Sequence, residues 1–303
     1  MKLARVSVSV FVALALAATA HAGQSGFAFL EVPAGARAAA LGGAYGSVAR
    51  GAEAAFWNPA GLADFTGTQL TATHTETYEN LRHEQVAVAG RMFGGGLAAS
   101  MRAMYSEPIA ERDDLGNIVG SFGSHDLEFL LGYGRTLAGG MSIGFTAQTV
   151  RERIADLAAG SWAVGAGAAM NVKALANARA SVSVHQVGPA AHYTIDGVQG
   201  QSVPLPMAAS TGLAFARPVR GLTGLLALEA RATRGRAGVF AVGTELDSPV
   251  GAALRFGYRH GDDNVSWSAG AGWRTGNLHV DYAFVPSRLE LDDTHRFTLS
   301  AGF

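Results

Sequence analysis

The chain has 303 residues, of which 49% are hydrophobic and only 16% are charged. This composition is too apolar for a disordered chain and is sufficient for one large domain. The formal net charge of −1 offers no basic excess for binding nucleic acid, and the absence of cysteine excludes disulfides, thiol nucleophiles and thiolate metal sites.

Residues 1–22 have the pattern of a secretory signal peptide. Lys2 and Arg5 are positive, residues 6–18 form an apolar run, and residues 20–22 (Ala-His-Ala) are a small-x-small cleavage site. The apolar run is too short to span a membrane, which argues against the alternative of a membrane anchor. We therefore predict export, with the mature chain starting near Gly23.

Residues 23–64 form a segment unlike the rest of the chain. They are rich in alanine and glycine, show no alternation of apolar and polar residues, and contain an Asn58-Pro59 turn signal. We expect short helical turns joined by glycines, because small residues allow one backbone to pack closely on another.

Residues 65–303 alternate between apolar and polar side chains in runs separated by turn residues. Runs of about ten alternating residues are typical of the strands of an outer-membrane barrel. The connections also alternate, with short turns on one side and longer loops on the other, as such barrels require. The pattern predicts an all-β fold, a transmembrane antiparallel up-and-down barrel of fourteen strands, at 66–76, 83–92, 96–106, 126–136, 141–151, 161–172, 178–187, 206–216, 222–232, 237–246, 250–260, 264–274, 277–285 and 294–303.

One face of the last four predicted strands is apolar and aromatic. Trp267 and Trp273 lie on this face about 20 Å apart along a strand, close to the height of a membrane band with aromatic rims. Tyr258, Tyr282 and Phe284 have the same parity. We predict that these five residues contact the membrane interface, whereas an ordinary soluble sheet would place them in a core.

The C-terminal strand carries Phe297, Leu299 and Phe303 on one face and polar residues on the other. We predict that it pairs with the first strand, which would remove the sheet edge, and that these apolar residues are recognised by the barrel-assembly machinery. The alternative is the edge strand of a soluble sandwich.

The sequence contains no arrangement typical of catalysis, of a cofactor site or of a metal site. The histidines are scattered, and the glycine-rich stretches lack the lysine and the strand–loop–helix context of a phosphate site. The loop carboxylates at 262–263 and 292–293 are more typical of solvated loops than of a cation site. We therefore expect no enzyme activity, no cofactor and no bound metal.

Several positions on the inward parity are small, as in Ala163, Gly165, Gly167 and Ala169 of one strand. A barrel of fourteen strands has an interior that water or a plug must fill. We predict that residues 23–64 occupy it as a hatch.

Two stretches resemble a known family. Gly35-Ala36-Arg37, Gly42-Gly43-Ala44 and the run Trp57-Asn58-Pro59-Ala60-Gly61-Leu62-Ala63 resemble the N-terminal signature of the PorV/PorQ family. The stretch 292–296 (Asp-Asp-Thr-His-Arg) resembles that family's C-terminus. Members of the family are outer-membrane proteins similar in fold to the FadL fatty-acid transporters.

The resemblance implies an outer-membrane barrel with a hatch in its lumen. It implies a secretion-associated protein of the type IX kind that holds exported proteins at the outer membrane and passes them to the machinery that anchors them. The alternative, drawn from FadL, is a passive transporter of hydrophobic small molecules. Besides outer-membrane lipid, the expected partners are therefore a secretion translocon with its exported proteins or a hydrophobic solute. The residues expected to pack the hatch are Gly35, Arg37, Gly42, Gly43, Asn58, Pro59 and Gly61.

Overall fold

The computed structural model describes residues 25–77, 81–175, 178–195, 198–289 and 292–303. The predicted signal peptide and its cleavage site lie outside the described residues, so export stays a prediction. Within the described residues, none of the helices has the length and apolar character needed to cross a membrane.

Fourteen antiparallel strands form a closed wall. Each wall strand pairs with the next, and the first pairs with the last from Gln69↔Gly302 to Glu76↔His295, which closes the barrel. The predicted fold class is confirmed. The wall strands are β1 (Thr68–Glu76), β2 (Arg82–Met92), β3 (Gly95–Tyr105), β6 (Ser124–Thr136), β7 (Ser142–Ile154), β8 (Leu157–Val172), β9 (Ala178–Val187), β12 (Ala208–Val219), β13 (Leu222–Thr233), β14 (Val239–Asp247), β15 (Ala252–His260), β16 (Trp267–Thr275), β17 (Leu278–Val285) and β18 (Thr294–Gly302).

Two hairpins extend the connections that we expected to be plain loops. They are β4 (Ile109–Arg112) with β5 (Ile118–Phe122), and β10 (Ala191–Ile195) with β11 (Val198–Val203). The first forms its own two-stranded sheet, whereas β10 joins the wall by pairing with β8. Both lie at the end of the barrel that carries the long connections, which we call the loop end. The opposite end, with the tight turns, is the turn end.

Several predicted strand starts are wrong by two to four residues. The starts are Thr68 rather than 66, Ser124 rather than 126, Leu157 rather than 161, Ala208 rather than 206, Val239 rather than 237, Ala252 rather than 250 and Trp267 rather than 264. Val265 has the parity of the outward residues, but it packs against a buried cluster that contains Ala36, Ala39 and Ala40 of the N-terminal segment with Ala283 and Val285. Contacts with a segment distant in sequence therefore override the local alternation at this position.

The outer face of the wall is apolar, as the alternation predicts. Trp267, near the loop end, lies 5.8 Å from the ring of Phe284, and Tyr282 lies 4.9 Å from Phe297. Trp273 lies on the same face near the turn end and is 53% exposed. The exposed side chains along the wall also include Leu131, Phe145, Trp162, Leu254, Phe256, Tyr258, Leu299 and Phe303.

The N-terminal residues 25–65, here called the luminal segment, run through the barrel. Ser25 Oγ donates to Arg234 O at the loop end, and Asp64 accepts from Arg179 at the turn end. The segment contains short helical turns joined by glycines, as we expected from its composition. These turns are Ala28–Glu31, Ala36–Ala40, Gly51–Glu53, Ala54–Trp57 and Pro59–Leu62.

Leu131, in the middle of β6, is exposed on the apolar outer face. Substitution Leu131→Arg should lower the free energy of unfolding in lipid vesicles by about 2–4 kcal/mol, because an arginine at the centre of the bilayer loses its hydration. The matched control is Leu137→Arg, in the exposed turn after β6, which should cost about 1 kcal/mol or less. Denaturant unfolding would measure both, and equal effects would argue against a lipid-facing surface.

Candidate functional site

The luminal segment is attached to the wall where β8 meets β9. Asn58 Nδ2 donates to the carbonyl oxygens of Ala168 in β8, at 3.3 Å, and of Val182 in β9, at 3.2 Å. The other side of the same amide, Asn58 Oδ1, accepts from Ala60 N at 3.0 Å and caps the turn that follows. One side chain therefore joins the two strands and orders the segment beneath them.

Trp57, the residue before Asn58, is hydrogen-bonded through both its backbone carbonyl group and its indole ring. Trp57 O accepts from Ser183 Oγ at 3.2 Å and lies 3.0 Å from His185 Nε2. The indole Nε1 of Trp57 donates to Ala34 O at 2.9 Å, which ties two turns of the segment together. Trp57 is 5% exposed, so these bonds lie in the interior of the barrel.

The wall is irregular just above this attachment. Between the described wall strands, a register shift occurs only at β8–β9, where the pairing passes from Ala166↔Val184 to Val164↔Val187. Gln186, beside the shift, has a φ of 53°, a conformation that side chains other than glycine rarely adopt. A bulge bends the strand and interrupts the ladder of hydrogen bonds. We call this place the β8–β9 seam.

Glycines in the wall let the segment approach on the seam side. Gly134, Gly144 and Gly167 lie on adjacent strands, and a Cβ on any of them would overlap Pro59 or Asn58. The missing side chains allow backbone to pack on backbone. The small inward residues predicted from the sequence therefore lie beside the segment here.

A second group of glycines receives the segment on another part of the wall. A Cβ on Gly243, Gly257 or Gly270 would overlap residues 40–42. Gly42 itself has a φ of 66°, which a glycine adopts without strain. The two groups, here called the glycine seats, hold the segment against β6–β8 and against β14–β16.

Charged side chains bind the segment to the wall beside the second seat. Arg37 donates from Nε and Nη2 to the two carboxylate oxygens of Glu245, at 2.8 and 2.6 Å. Arg255 donates to Glu245 at 2.5 Å and to Asp281 at 2.7 Å. The bidentate geometry makes Arg37 a directional contact. Removal of Glu245 would leave the Arg37 guanidinium without its carboxylate partner, whereas removal of Arg37 would leave Glu245 bound to Arg255.

Glu53 lies inside the segment and is 8% exposed. Burial, followed by the nearby charge of Asp281, raises the pKa of Glu53 to about 7. Tyr45 donates its hydroxyl to this carboxyl group at 3.1 Å. Gly35 has a φ of 81°, and a Cβ at this glycine would overlap the Glu53 carboxyl group. The glycine therefore provides the space that the buried carboxyl group occupies.

The segment is bound again at the turn end. Asp64 accepts from Arg179 at 2.8 Å, from Ser142 at 3.1 Å and from Thr136 at 3.2 Å. Burial acts to raise the pKa of Asp64, but Arg179 and Arg50 outweigh it and hold the pKa below its usual value. The carboxylate therefore stays charged and joins the segment to three strands.

A cavity of about 540 Å³ lies between the segment and the loop end. Leu30 and Val239 supply apolar walls, and Trp57 lies at its inner end. Arg231 also lines it, with its guanidinium 5.7 Å from the centre of the Trp57 ring. Gln186 of the seam is another lining residue, so the cavity reaches the place where the wall is irregular.

The seven residues predicted to pack the hatch all lie in the luminal segment and contact the wall or other parts of the segment. Gly61 faces Ala49 O, and Gly43 lies against the Trp57 ring. Whether these residues hold a movable hatch is still a prediction. We did not predict the contributions of Glu229, which accepts from Tyr45 N and Gly46 N, or of Glu245. Both glutamates are charged residues at inward-facing positions of predicted strands, and this is the signal by which the sequence could have revealed them.

Sequence comparison relates part of the chain to a known family. The sequence profile of the family described as "Uncharacterised protein family (UPF0164)" matches residues 5–152. A UPF0164 protein of Treponema pallidum (strain Nichols) is 35% identical over 75 residues. That match spans 25% of this chain and 23% of the relative, so the similarity is local.

The fold is similar to that of solved FadL-like barrels. The toluene transporter TodX of Pseudomonas putida aligns over 88% of this chain and 96% of its own, with a TM-score of 0.59 and 12% identity. The monoaromatic hydrocarbon channel CymD aligns over 90% and 98%, with a TM-score of 0.57 and 12% identity. A Pseudomonas aeruginosa FadL homologue aligns over 89% and 98%, with a TM-score of 0.53 and 12% identity. The barrel fold is thus similar to those of these three proteins, which do not show the PorV/PorQ family in particular.

The first prediction from this site concerns Gly144, whose missing side chain accommodates Pro59. Substitution Gly144→Ala should displace Pro59 and loosen the luminal segment, because the added Cβ would overlap the proline backbone. Limited proteolysis should then cleave the segment faster than in the wild type. The matched control is Gly90→Ala in β2, where the nearest atom to an added Cβ is Thr68 Oγ1 at 3.6 Å. Equal protease resistance in the two variants would contradict the conclusion that Gly144 provides the space for Pro59.

The second prediction concerns Glu53. Its folded-state pKa of about 7 lies above the ordinary 4.5, so its contribution to stability is present below about pH 4.5 and is lost as the pH rises through about 7. Between pH 5 and 8 the free energy of unfolding of the wild type should fall by on the order of 2 kcal/mol more than that of the Glu53→Gln variant. Unfolding in detergent at several pH values would measure this. Glu111→Gln, on an exposed hairpin, should retain the wild-type dependence.

Proposed function

We propose that the protein is an outer-membrane barrel through which hydrophobic small molecules pass without catalysis. The observation that carries the proposal is the cavity at the loop end, which reaches both the luminal segment and the irregular β8–β9 seam. A passage needs an entrance, an obstruction that can move and an exit. The cavity, the luminal segment and the β8–β9 seam are the respective candidates.

The cavity is suited to a small apolar or amphipathic molecule. Its volume of about 540 Å³ falls within the range of ordinary ligand pockets. Leu30, Val239 and Trp57 offer apolar contact, while Arg231 and Arg259 place polar groups beside it. Arg259 is already bound to Gly42 O at 2.7 Å and to Asp262 at 3.2 Å. The lining also includes further charged residues, namely Glu31, Glu229, Arg236, Asp262 and Asp263. The cavity therefore combines an apolar wall with many polar groups, as an amphipathic molecule requires.

The attachment at Asn58 supports an obstruction that is anchored on one side of the lumen. Its two bonds to β8 and β9 are made to backbone carbonyl oxygens, which require no particular side chain on the wall. The glycines that receive Asn58 and Pro59 hold the same part of the segment. The movement that clears the passage therefore falls to parts of the segment outside the seats.

The secretion-associated role expected from the PorV/PorQ resemblance is the second candidate. The similarity of the fold to a toluene transporter and a hydrocarbon channel favours transport over secretion. The hairpin β4–β5, which stands apart from the wall at the loop end, is the feature that a bound protein could contact. Loss of surface-anchored proteins on deletion of the gene would support secretion and would weaken the transport proposal.

Uptake of radiolabelled toluene tests the proposal. Cells whose outer membrane carries the barrel should take up toluene faster than matched cells without it. Ala237→Trp, at the mouth of the cavity, should reduce this rate by about tenfold because the indole fills the entrance. Ala110→Trp, exposed on the β4–β5 hairpin away from the cavity, is the control and should leave the rate unchanged. Uptake that does not depend on the barrel would contradict the proposed function.

A further inference from the structure

One part of the inner wall carries many buried polar atoms that have no hydrogen-bond partner among the described residues. They lie on the neighbouring strands β18, β1, β2, β3 and β6. Such atoms are rare in native proteins, because a buried donor or acceptor without a partner costs free energy. The atoms are Thr75 Oγ1, both ring nitrogens of His83, both amide atoms of Gln85, Ser100 Oγ, Asp126 Oδ1, Glu128 Oε1 and Arg296 Nε.

The strand register shows that these groups form one surface. Thr75 of β1 lies opposite His83 of β2 and opposite Arg296 of β18. Arg102 of β3 lies opposite Gln85 and, on its other side, opposite Glu128 of β6. We call this surface the polar patch. It is continuous across five strands.

The luminal segment covers the polar patch but offers it few partners. Arg102 donates to Val32 O at 3.3 Å, and Arg296 donates to Pro33 O. The Phe56 ring lies 5.0 Å from the Arg102 guanidinium. Two carbonyl groups and an aromatic ring cannot satisfy the amide, hydroxyl and imidazole groups beneath them. The glycine seats, by contrast, hold the segment by close backbone packing.

The polar patch has no excess of charge. Arg102 is bound to Glu128 at 2.5 Å, and the other two charged side chains of the patch, Arg296 and Asp126, have opposite formal charges. Within the described residues, no group of histidine and acidic side chains could hold a metal ion. Gln85 presents both a donor and an acceptor. The chemistry therefore suits a neutral group that both donates and accepts hydrogen bonds, such as a hydroxyl or an amide.

We propose that the passage opens between residues 32–36 of the luminal segment and the polar patch, and that it passes amphipathic molecules with an apolar body and a neutral hydrogen-bonding group. This inference rests on the proposed function and names its substrate class. The seats keep residues 40–42 and 58–62 in place, Arg37 stays bound to Glu245, and Phe27, Phe29 and Leu30 stay in a buried apolar cluster with Val150 and Ala159. Residues 32–36 move away from a wall that water or the substrate solvates better than the segment does.

Paired uptake measurements test the substrate class. Toluene and benzyl alcohol have the same ring, but only the alcohol carries a hydroxyl group. Wild-type barrel should raise the uptake of both. Gln85→Leu should lower uptake of benzyl alcohol by about fivefold, the loss of one hydrogen bond, and should leave toluene uptake nearly unchanged. Gln199→Leu, an exposed glutamine on the β10–β11 hairpin, is the matched control and should alter neither rate.

The outcomes separate the inference from the proposed function. If neither probe enters faster with the wild-type barrel than without it, the proposed function fails. If both probes enter but Gln85→Leu slows them equally or not at all, the substrate class is overturned while transport stands.

Disulfide locks test the place of opening even if Gln85→Leu does not fold, and the chain has no cysteine of its own to interfere. Ala36→Cys with Thr298→Cys joins the segment to the edge of the polar patch, where Ala36 N and Thr298 Oγ1 are 2.8 Å apart. Ala55→Cys with Gly132→Cys joins it to β6 beside the first seat, where the two Cβ positions are 3.2 Å apart. The first lock should stop uptake until it is reduced, and the second should leave uptake intact. Inhibition by the second lock alone, or by both equally, would overturn the proposed place of opening.

Discussion

The pairing of every backbone amide and carbonyl group within a closed sheet is the constraint on which the structure depends. Lipid offers no hydrogen bonds, so a sheet with an open edge is not stable in a membrane. The pairing of β1 with β18 removes that edge. Once the wall is closed, its two faces have different surroundings, and the alternation of the sequence separates lipid-facing side chains such as Leu131 from luminal ones such as Glu128.

Closure creates a second requirement, since the lumen must be filled. The luminal segment fills it with short turns and small side chains, and the wall receives these turns at glycines. Backbone groups that face each other without side chains approach closely, so the segment can be bound by many weak contacts. Two stronger attachments, the Asn58 amide at the β8–β9 seam and the Arg37–Glu245 pair, set its position along the barrel.

These contacts are distributed unevenly around the lumen. Close packing occurs at β6–β8, at β14–β16 and on β2 and β3 near the turn end, whereas the part of β18, β1, β2, β3 and β6 nearer the loop end presents polar groups that the segment leaves without partners. An obstruction that is bound tightly on some sides and weakly on another has a preferred direction of release. The cavity at the loop end and the irregular seam lie beside this same segment, which connects the packing of the lumen to the proposed transport.

The sequence alone determined the wall and the identity of the segment within it. A strand has a side-chain period of two whatever it packs against, so alternation revealed all fourteen wall strands and the outward direction of Trp267, Trp273 and Phe297. The Asn58-Pro59 signal and the glycines of residues 23–64 likewise indicated closely packed turns. Local pattern could not show that Val265 turns inward, because that depends on Ala36 and Ala39 some 230 positions earlier. Nor could it pair Arg37 with Glu245, place Asn58 across β8 and β9, or gather the polar patch from five strands. Those contacts join residues far apart in the chain, and only barrel closure, with the segment inside, brings them together.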